Sequence, residues 1–315
     1  MFGSGGVGSY LGSRFAAARS DVHLIARGAH LQALRERGLT LITPEGISTT
    51  PVWATDRPET IGIVDLVLFC VKSYDTEAAA EQLAPLVGPQ TMVLSIQNGI
   101  DNEDRIAERI GSEHVLGAAT YILSAIESPG VVRSGPARLF IGELRPGPPS
   151  ERVTSLVEVA RRGGIDAIAV PDIRRAKWEK YVLLVAFSAV SAATQLTVGD
   201  IRRSHAASEM LRAIMAEAFS IGRALGVPLP DDLVDRQHKL VLSQADDEGT
   251  SLRHDLLTGH RMELEALQGT LRRLGRETGI ATPWTGAAYA VLEPWALRNE
   301  KSSRAAEPAP ATTAT

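Results

Sequence analysis

Met1-Phe2-Gly3-Ser4-Gly5-Gly6-Val7-Gly8-Ser9 opens the chain, and Gly3 to Gly8 spell G-x-G-x-x-G. In that pattern the first glycine permits a tight turn. The second lets the backbone approach a pyrophosphate, and the third lets the next helix pack on its strand. The phosphates then lie over that helix's N-terminus. Six residues alone describe a glycine-rich turn just as well, so the context has to decide. Ser9–Arg19 has helical apolar spacing and Val22–Ala26 reads as a strand, which is the expected order. One feature departs from the pattern. The preceding strand should supply about five residues, yet only Met1 and Phe2 precede Gly3. Either the true start lies upstream or the first strand is stunted.

Working outward, short apolar runs alternate with helical patterns. Val22–Ala26, Asp65–Val71, Thr91–Ile96 and Val115–Leu123 read as strands. Ser9–Arg19, Ala29–Arg37, Thr76–Leu86 and Asn102–Ile110 read as the helices between them. Such alternation predicts βαβ units and a parallel sheet covered on both faces. Leu39–Ile42 and Ile47–Val52 flank Pro44-Glu45-Gly46, which predicts a hairpin. A second hairpin is expected from Val131–Arg133 to Arg138–Ile141, turning at Gly135-Pro136. Helix Glu151–Arg162 and strand Ala167–Val170 close this half.

From Ile173 the period is helical. The expected helices are Ile173–Thr194, Ser204–Leu225, Asp231–Gln244, Met262–Thr278 and Pro283–Arg298, with Asp246–Gly259 as a polar loop. The fold class is therefore α/β: a Rossmann-type, doubly wound, mostly parallel sheet domain over residues 1–170, then an all-helical domain over 171–300. Residues 301–315 are low in complexity and are expected to be a disordered tail.

Composition narrows the function. There are 33 basic and 37 acidic residues, for a net charge of −4, which argues against a nucleic-acid partner. A single cysteine, Cys70, excludes an internal disulfide and any cysteine-built metal cluster, and it fits a reducing cytoplasm. Tyr181–Gly199 is free of charge over 19 residues. Its serines, threonines and alanines predict a buried helix rather than a membrane span. His254 and His260 have no cysteine or paired acid beside them, so no metal site is expected. Cys70 lies in a predicted strand and reads as core.

The end of the second strand speaks to the cofactor. NAD-binding folds place an acid there for the ribose 2′-hydroxyl. Here the run is Leu24-Ile25-Ala26-Arg27-Gly28, with no acid. Arg27 offers a permanently charged planar fork suited to a 2′-phosphate, which favours NADP (NADPH) over NAD. A solvated charge at a helix start is the other reading of Arg27.

Taken together, Gly3–Gly8, Val71-Lys72-Ser73, Gln97-Asn98-Gly99, Trp178-Glu179-Lys180, Ser251 and Glu263 resemble the ketopantoate reductases (2-dehydropantoate 2-reductases). No one of these is specific; their order over residues 1 to about 298 is. The resemblance implies reduction of the ketone of 2-dehydropantoate to pantoate with NADPH, a step of pantothenate synthesis, in the cleft between the domains. It implies that Gly3, Ser4, Gly5, Gly6, Val7, Gly8 and Arg27 bind the cofactor. Lys72, Asn98 and, through its backbone, Leu123 are placed near it too. Lys180 becomes the general acid, with Glu263 beside it. Asn98, Lys180, Leu184, Ser188 and Ser251 line the substrate, with Ser251 on its carboxylate. The residues alone read more plainly: Lys180 as a lysine snorkelling beside an apolar helix, Asn98-Gly99 as a turn, and Glu263 as an acid at a helix start.

Three positions depart from the family. Asparagines are common one and two turns after the catalytic lysine, where this chain has Leu184 and Ser188, and Val198 replaces a third. An apolar pocket leaves a hydroxyl-rich substrate with unpaired polar atoms, at about 1–3 kcal/mol each. A different, more apolar 2-oxo acid is therefore an open alternative, as is a non-catalytic NADPH-binding sensor. A homodimer is open as well.

Overall fold

The computed structural model describes residues 1–306. Two compact units divide the chain between Lys177 and Trp178, inside one long helix.

The first unit runs α1 (Gly6–Ala17), β1 (His23–Ile25), α2 (Gly28–Arg37), β2 (Leu39–Thr43), β3 (Gly46–Thr50), β4 (Trp53–Thr55), β5 (Leu66–Phe69), α3 (Thr76–Ala80), β6 (Met92–Ser95), α4 (Asn102–Ile110), β7 (Val115–Tyr121), β8 (Ser124–Ser128), β9 (Val131–Ser134), β10 (Arg138–Glu143), α5 (Glu151–Arg162) and β11 (Asp166–Ala169). Strands β5, β6 and β7 pair in parallel, with Val67 opposite Val93 and Leu94 opposite Leu116. β10 pairs antiparallel with β7 and parallel with β11, so the sheet is mostly parallel, as expected. β1 and β4 form a parallel pair of their own. Phe2 joins the two pieces, bridging Ile25 on one side and Phe69 on the other. Phe2 exchanges backbone hydrogen bonds with Leu68 and Cys70, while Met1 and Ser4 bond to Ile25, so these few residues stand in for a first strand.

Alternation along the strands assigns the faces. Leu68, Leu94 and Leu116 pack with Leu11 and Phe15 of α1 and with Val153, Leu156 and Val157 of α5. Val67, Phe69, Val93 and Val115 pack with Ala79 and Ala80 of α3 and Ile106 of α4. Period-two burial in a sheet with both faces covered explains why each run is rich in Val, Leu and Phe throughout. α4 is also pinned to the start of the long helix by an ion pair between Lys177 and Glu103, both more than nine-tenths buried.

The second hairpin is a correction. β9 pairs not with β10 but with β8, across Pro129-Gly130, and in parallel with β2. Together β3, β2, β9 and β8 form a separate four-stranded sheet. Gly130 takes φ +84°, the left-handed region a tight turn needs. Gly135-Pro136 instead carries the chain from this small sheet back to the large one. The expected helix Thr76–Leu86 is also divided: α3 stops at Ala80, and a short 3-10 turn, Ala84–Leu86, follows around Pro85.

The second unit is helical, built from α6 (Ile173–Thr194), which begins in the first unit, then α7 (Val198–Arg203), α8 (His205–Ala224), α9 (Leu233–Leu242), α10 (Ser251–Thr258), α11 (Thr270–Thr278) and α12 (Pro283–Ala306). Val182, Val185, Ala186, Ala189 and Val190 of α6 are buried, which explains its missing charges. No helix among the described residues is long and apolar enough to cross a membrane. Two expectations fail here. Asp246–Gly259 is not all loop, because α10 forms inside it, capped by the Thr250 hydroxyl on Arg253 N–H and ended by left-handed Gly259. Residues 301–306 complete α12 rather than starting a tail; the remaining tail residues, 307–315, lie outside the described residues.

Candidate functional site

The glycine run forms the turn before α1. Its glycines divide by what a side chain would meet. At Gly3, where φ is +91°, a Cβ would lie 2.8 Å from the Val71 backbone nitrogen. At Gly6 it would lie 2.6 Å from the Ser124 carbonyl oxygen, and at Gly8 2.3 Å from that of Gly3. These three are demanded by the protein's own packing. Gly5 differs: nothing lies within 4 Å of its Cβ position, and the residue is exposed. Gly5 is also the N-cap of α1, with no side-chain cap and no acid in the first turn. The helix therefore presents uncapped amides and open space at its positive end, which suits a pyrophosphate. Ser4 and Gly8 are buried, and Val7 is half-buried.

Arg27 is exposed at the end of β1 and is the N-cap of α2. No acid accompanies it in the first turn of α2. A 2′-phosphate at this point would meet a guanidinium and a helix N-terminus. The residues present fit a nicotinamide dinucleotide.

The Lys72 and Asn98 loops, read separately in the sequence, are held together. Ser73 Oγ donates to the Asn98 carbonyl at 3.0 Å, and Asn102 Nδ2 donates to the same oxygen at 2.7 Å. Gln97 Nε2 donates to the Val71 carbonyl and to Thr76 Oγ1. Lys72 and Asn98 themselves are half-buried at the C-terminal ends of β5 and β6, where open parallel sheets bind ligands. Leu123 is 61% exposed, and its carbonyl accepts from Gly135 N–H at 2.9 Å.

In the second unit, Lys180 is half-buried on α6, one helical turn before half-buried Leu184. Glu263 is buried, directly before a π-helical turn, Glu265–Gly269. That turn is sewn to α6. Tyr181 Oη donates to the Leu267 carbonyl at 2.6 Å. Gln268 Nε2 donates to the Val185 carbonyl at 2.9 Å and to Ser188 Oγ at 2.8 Å. Ser188 is 1% exposed and points its own proton at the Val185 carbonyl. Ser251 is exposed as the first residue of α10. Val198 is fully buried in the core.

Sequence reasoning missed the residues that hold these groups in place: Thr76, Asn102, Tyr181 and Gln268. The bonds that tie them across the site span 21 to 86 positions, alongside local ones between Thr76 and Ser73, Asn102 and Asn98, and Asn102 and Arg105, and no local pattern marks them. Cys70 fits the core reading, since burial pushes its thiol up to about 12. Among the described residues no group of acids, histidines and cysteines is arranged to hold a metal ion.

Comparison with known proteins adds the family. The model of ketopantoate reductase PanE/ApbA matches residues 1–146, and that of its C-terminal domain matches 172–295. A 2-dehydropantoate 2-reductase of Mesorhizobium japonicum is 34% identical, over 93% of this chain and 95% of that protein. One from Halobacterium salinarum is 33% identical, over 89% and 93%. The crystal structure of a PanE/ApbA family ketopantoate reductase from Ralstonia eutropha superposes with a TM-score of 0.88 at 33% identity, covering 95% of this chain and 98% of that one. With both halves matched in order, and with relatives above 30% identity along nearly its whole length, the chain belongs to the ketopantoate reductase family.

Proposed function

We propose that the protein reduces the ketone of a 2-oxo acid with NADPH, and that the acid is 2-dehydropantoate, giving pantoate. The observation that carries the cofactor half is the open, uncapped start of α1 at Gly5 with Arg27 exposed at the next helix start. The family match carries the substrate half. When bound, the nicotinamide would supply the hydride. Lys180 gives a proton from Nζ to the oxygen that becomes the hydroxyl, and its amine recovers a proton from water. Glu263 keeps that lysine charged before the transfer. Lys72 and Asn98 serve the cofactor and the substrate, Leu123 lends its backbone to the cofactor, and Ser251 takes the substrate carboxylate. Arg27 selects NADPH over NADH. The single, half-buried cysteine supports a cytoplasmic setting, and a second copy of the chain is the partner to look for.

A second reading is favoured by one observation. Leu184 stands one turn after Lys180, and the Ser188 hydroxyl already serves Val185 and Gln268. Neither leaves the polar surface that asparagines would, so a more apolar 2-oxo acid is the competing substrate. The test is NADPH oxidation across a panel of 2-oxo acids that includes 2-dehydropantoate and branched aliphatic and aromatic members. Highest kcat/KM with 2-dehydropantoate supports the first reading. Preference for an apolar member supports the second. NADPH binding without turnover of any member would refute both and leave a sensor.

A further inference from the structure

His30 lies three residues past Arg27 on α2, and nothing in the sequence links it to the glycine loop. The structure does. Its Nδ1 is 3.1 Å from Gly130 N–H, so Nδ1 accepts and bears no proton. The proton of the neutral ring is then on Nε2, which is 3.3 Å from Ser9 Oγ. Ser9 Oγ, fully buried, donates its own proton to the Ser4 carbonyl at 3.0 Å. Each donor in this chain has one acceptor: Gly130 N–H to His30, His30 to Ser9, Ser9 to Ser4. Burial holds the His30 imidazole below its ordinary value, in keeping with a neutral ring.

The relay ends on the residue that precedes Gly5. With its carbonyl tied inward to Ser9, Ser4 cannot turn its peptide over the start of α1. The other end rests on the β8–β9 turn, where a Cβ on Gly130 would lie 3.0 Å from Ala33 Cβ of α2. The turn packs closely on α2 there, and its Gly130 carbonyl accepts from Thr40 N–H at 2.9 Å, which anchors it. We infer that His30 is a positioning residue for the dinucleotide: through Ser9 it fixes the Ser4 carbonyl and so keeps the first amides of α1 available to the pyrophosphate. This rests on the cofactor reading above.

The role is distinct from that of Arg27 because the pyrophosphate is common to NADPH and NADH. The test is equilibrium titration of both cofactors, by tryptophan fluorescence or calorimetry, with no turnover required. His30→Leu and Ser9→Ala should each weaken NADPH and NADH by the same factor, about five- to tenfold, the worth of one hydrogen bond. The double variant should lose no more than either single one, since both break one chain. His30→Gln, whose amide keeps a donor toward Ser9, should bind close to wild type, and circular dichroism should show all variants folded. Arg27→Ala should weaken NADPH alone. If wild type binds both cofactors and folded His30→Leu binds them equally well, the inference is overturned while the cofactor reading stands. Losses that multiply in the double variant also overturn it. A wild-type chain that binds neither cofactor overturns the cofactor reading and the inference together.

Discussion

Gln97 Nε2 donates to the Val71 carbonyl across 3.0 Å, which makes the loop carrying Asn98 and the loop carrying Lys72 one rigid piece. The side chain is 5% exposed and also donates to Thr76 Oγ1 at 2.8 Å. Gln97→Leu removes both bonds and leaves buried acceptors unpaired, at about 1–3 kcal/mol. Thermal melting should drop by several degrees, and KM should rise for both cofactor and oxo acid. An unchanged melting temperature would show that the two loops are held by other means.

The proposed mechanism asks Lys180 to give up a proton, and that demand separates it from a lysine needed only for charge. Lys180→Ala should lower kcat by roughly 10²–10⁴ with NADPH affinity nearly intact. Lys180→Arg keeps the charge but does not release a proton near neutral pH, so it should fail almost as badly. Near-normal turnover in either variant would remove Lys180 from the mechanism.

Leu184 tests specificity apart from chemistry. Leu184→Asn returns an amide to the first turn after Lys180. It should raise kcat/KM for 2-dehydropantoate relative to an apolar 2-oxo acid by roughly tenfold to a hundredfold, the effect of about 1–3 kcal/mol. If wild type already discriminates that strongly, an ordered water supplies the missing contacts, and the variant should change little.

Glu143 gives stability a pH dependence. The forked hydrogen bonds from Arg152, at 2.8 Å from Nε and 2.5 Å from Nη2, hold its carboxyl below the usual carboxylate range. A depressed carboxyl contributes stability that is complete above its unfolded value and disappears as pH falls through the folded one. Partial exposure limits the pair to about 0.5–1 kcal/mol. Glu143→Gln should therefore melt lower than wild type at pH 7, and the gap should close in the acid range below the ordinary carboxylate value. A gap that stays constant down to that range would mean the ion pair is not its source.

Where burial follows from period alone, the sequence was a good guide. Val67, Phe69 and Leu68 divide between two faces of the sheet as alternation demands, and α4, α5 and α6 begin and end at the residues expected. Gly135-Pro136 misled because turn chemistry says that the chain bends and not which sheet it joins; that choice lay in β9 pairing with β8 on one side and β2 on the other. α10 was hidden because its apolar face is only Leu252 and Leu256, and its start is signalled by Thr250 alone. Of the candidate site, the glycine run was legible as a motif, and Lys72, Asn98 and Lys180 only through the family resemblance. Their supports were not: Ser9 and His30, or Ser188 and Gln268, are joined by hydrogen bonds across 21 and 80 residues, and such pairs leave no periodic trace.

The π-helical turn Glu265–Gly269 has a consequence for how this helix can change over time. A π turn holds one residue more than an α turn needs. Deleting that residue would restore a regular helix and rotate everything before it by about 100°. Glu263 would swing out of its buried position while Leu271 kept its place in the core. The bulge therefore uncouples the angular phase of the carboxylate from that of the packing face, so drift in the hydrophobic residues of α11 need not disturb the acid. Single-residue insertions and deletions between Glu263 and Thr270 are the changes this stretch tolerates least, and substitutions on the exposed face of α11 the ones it tolerates best.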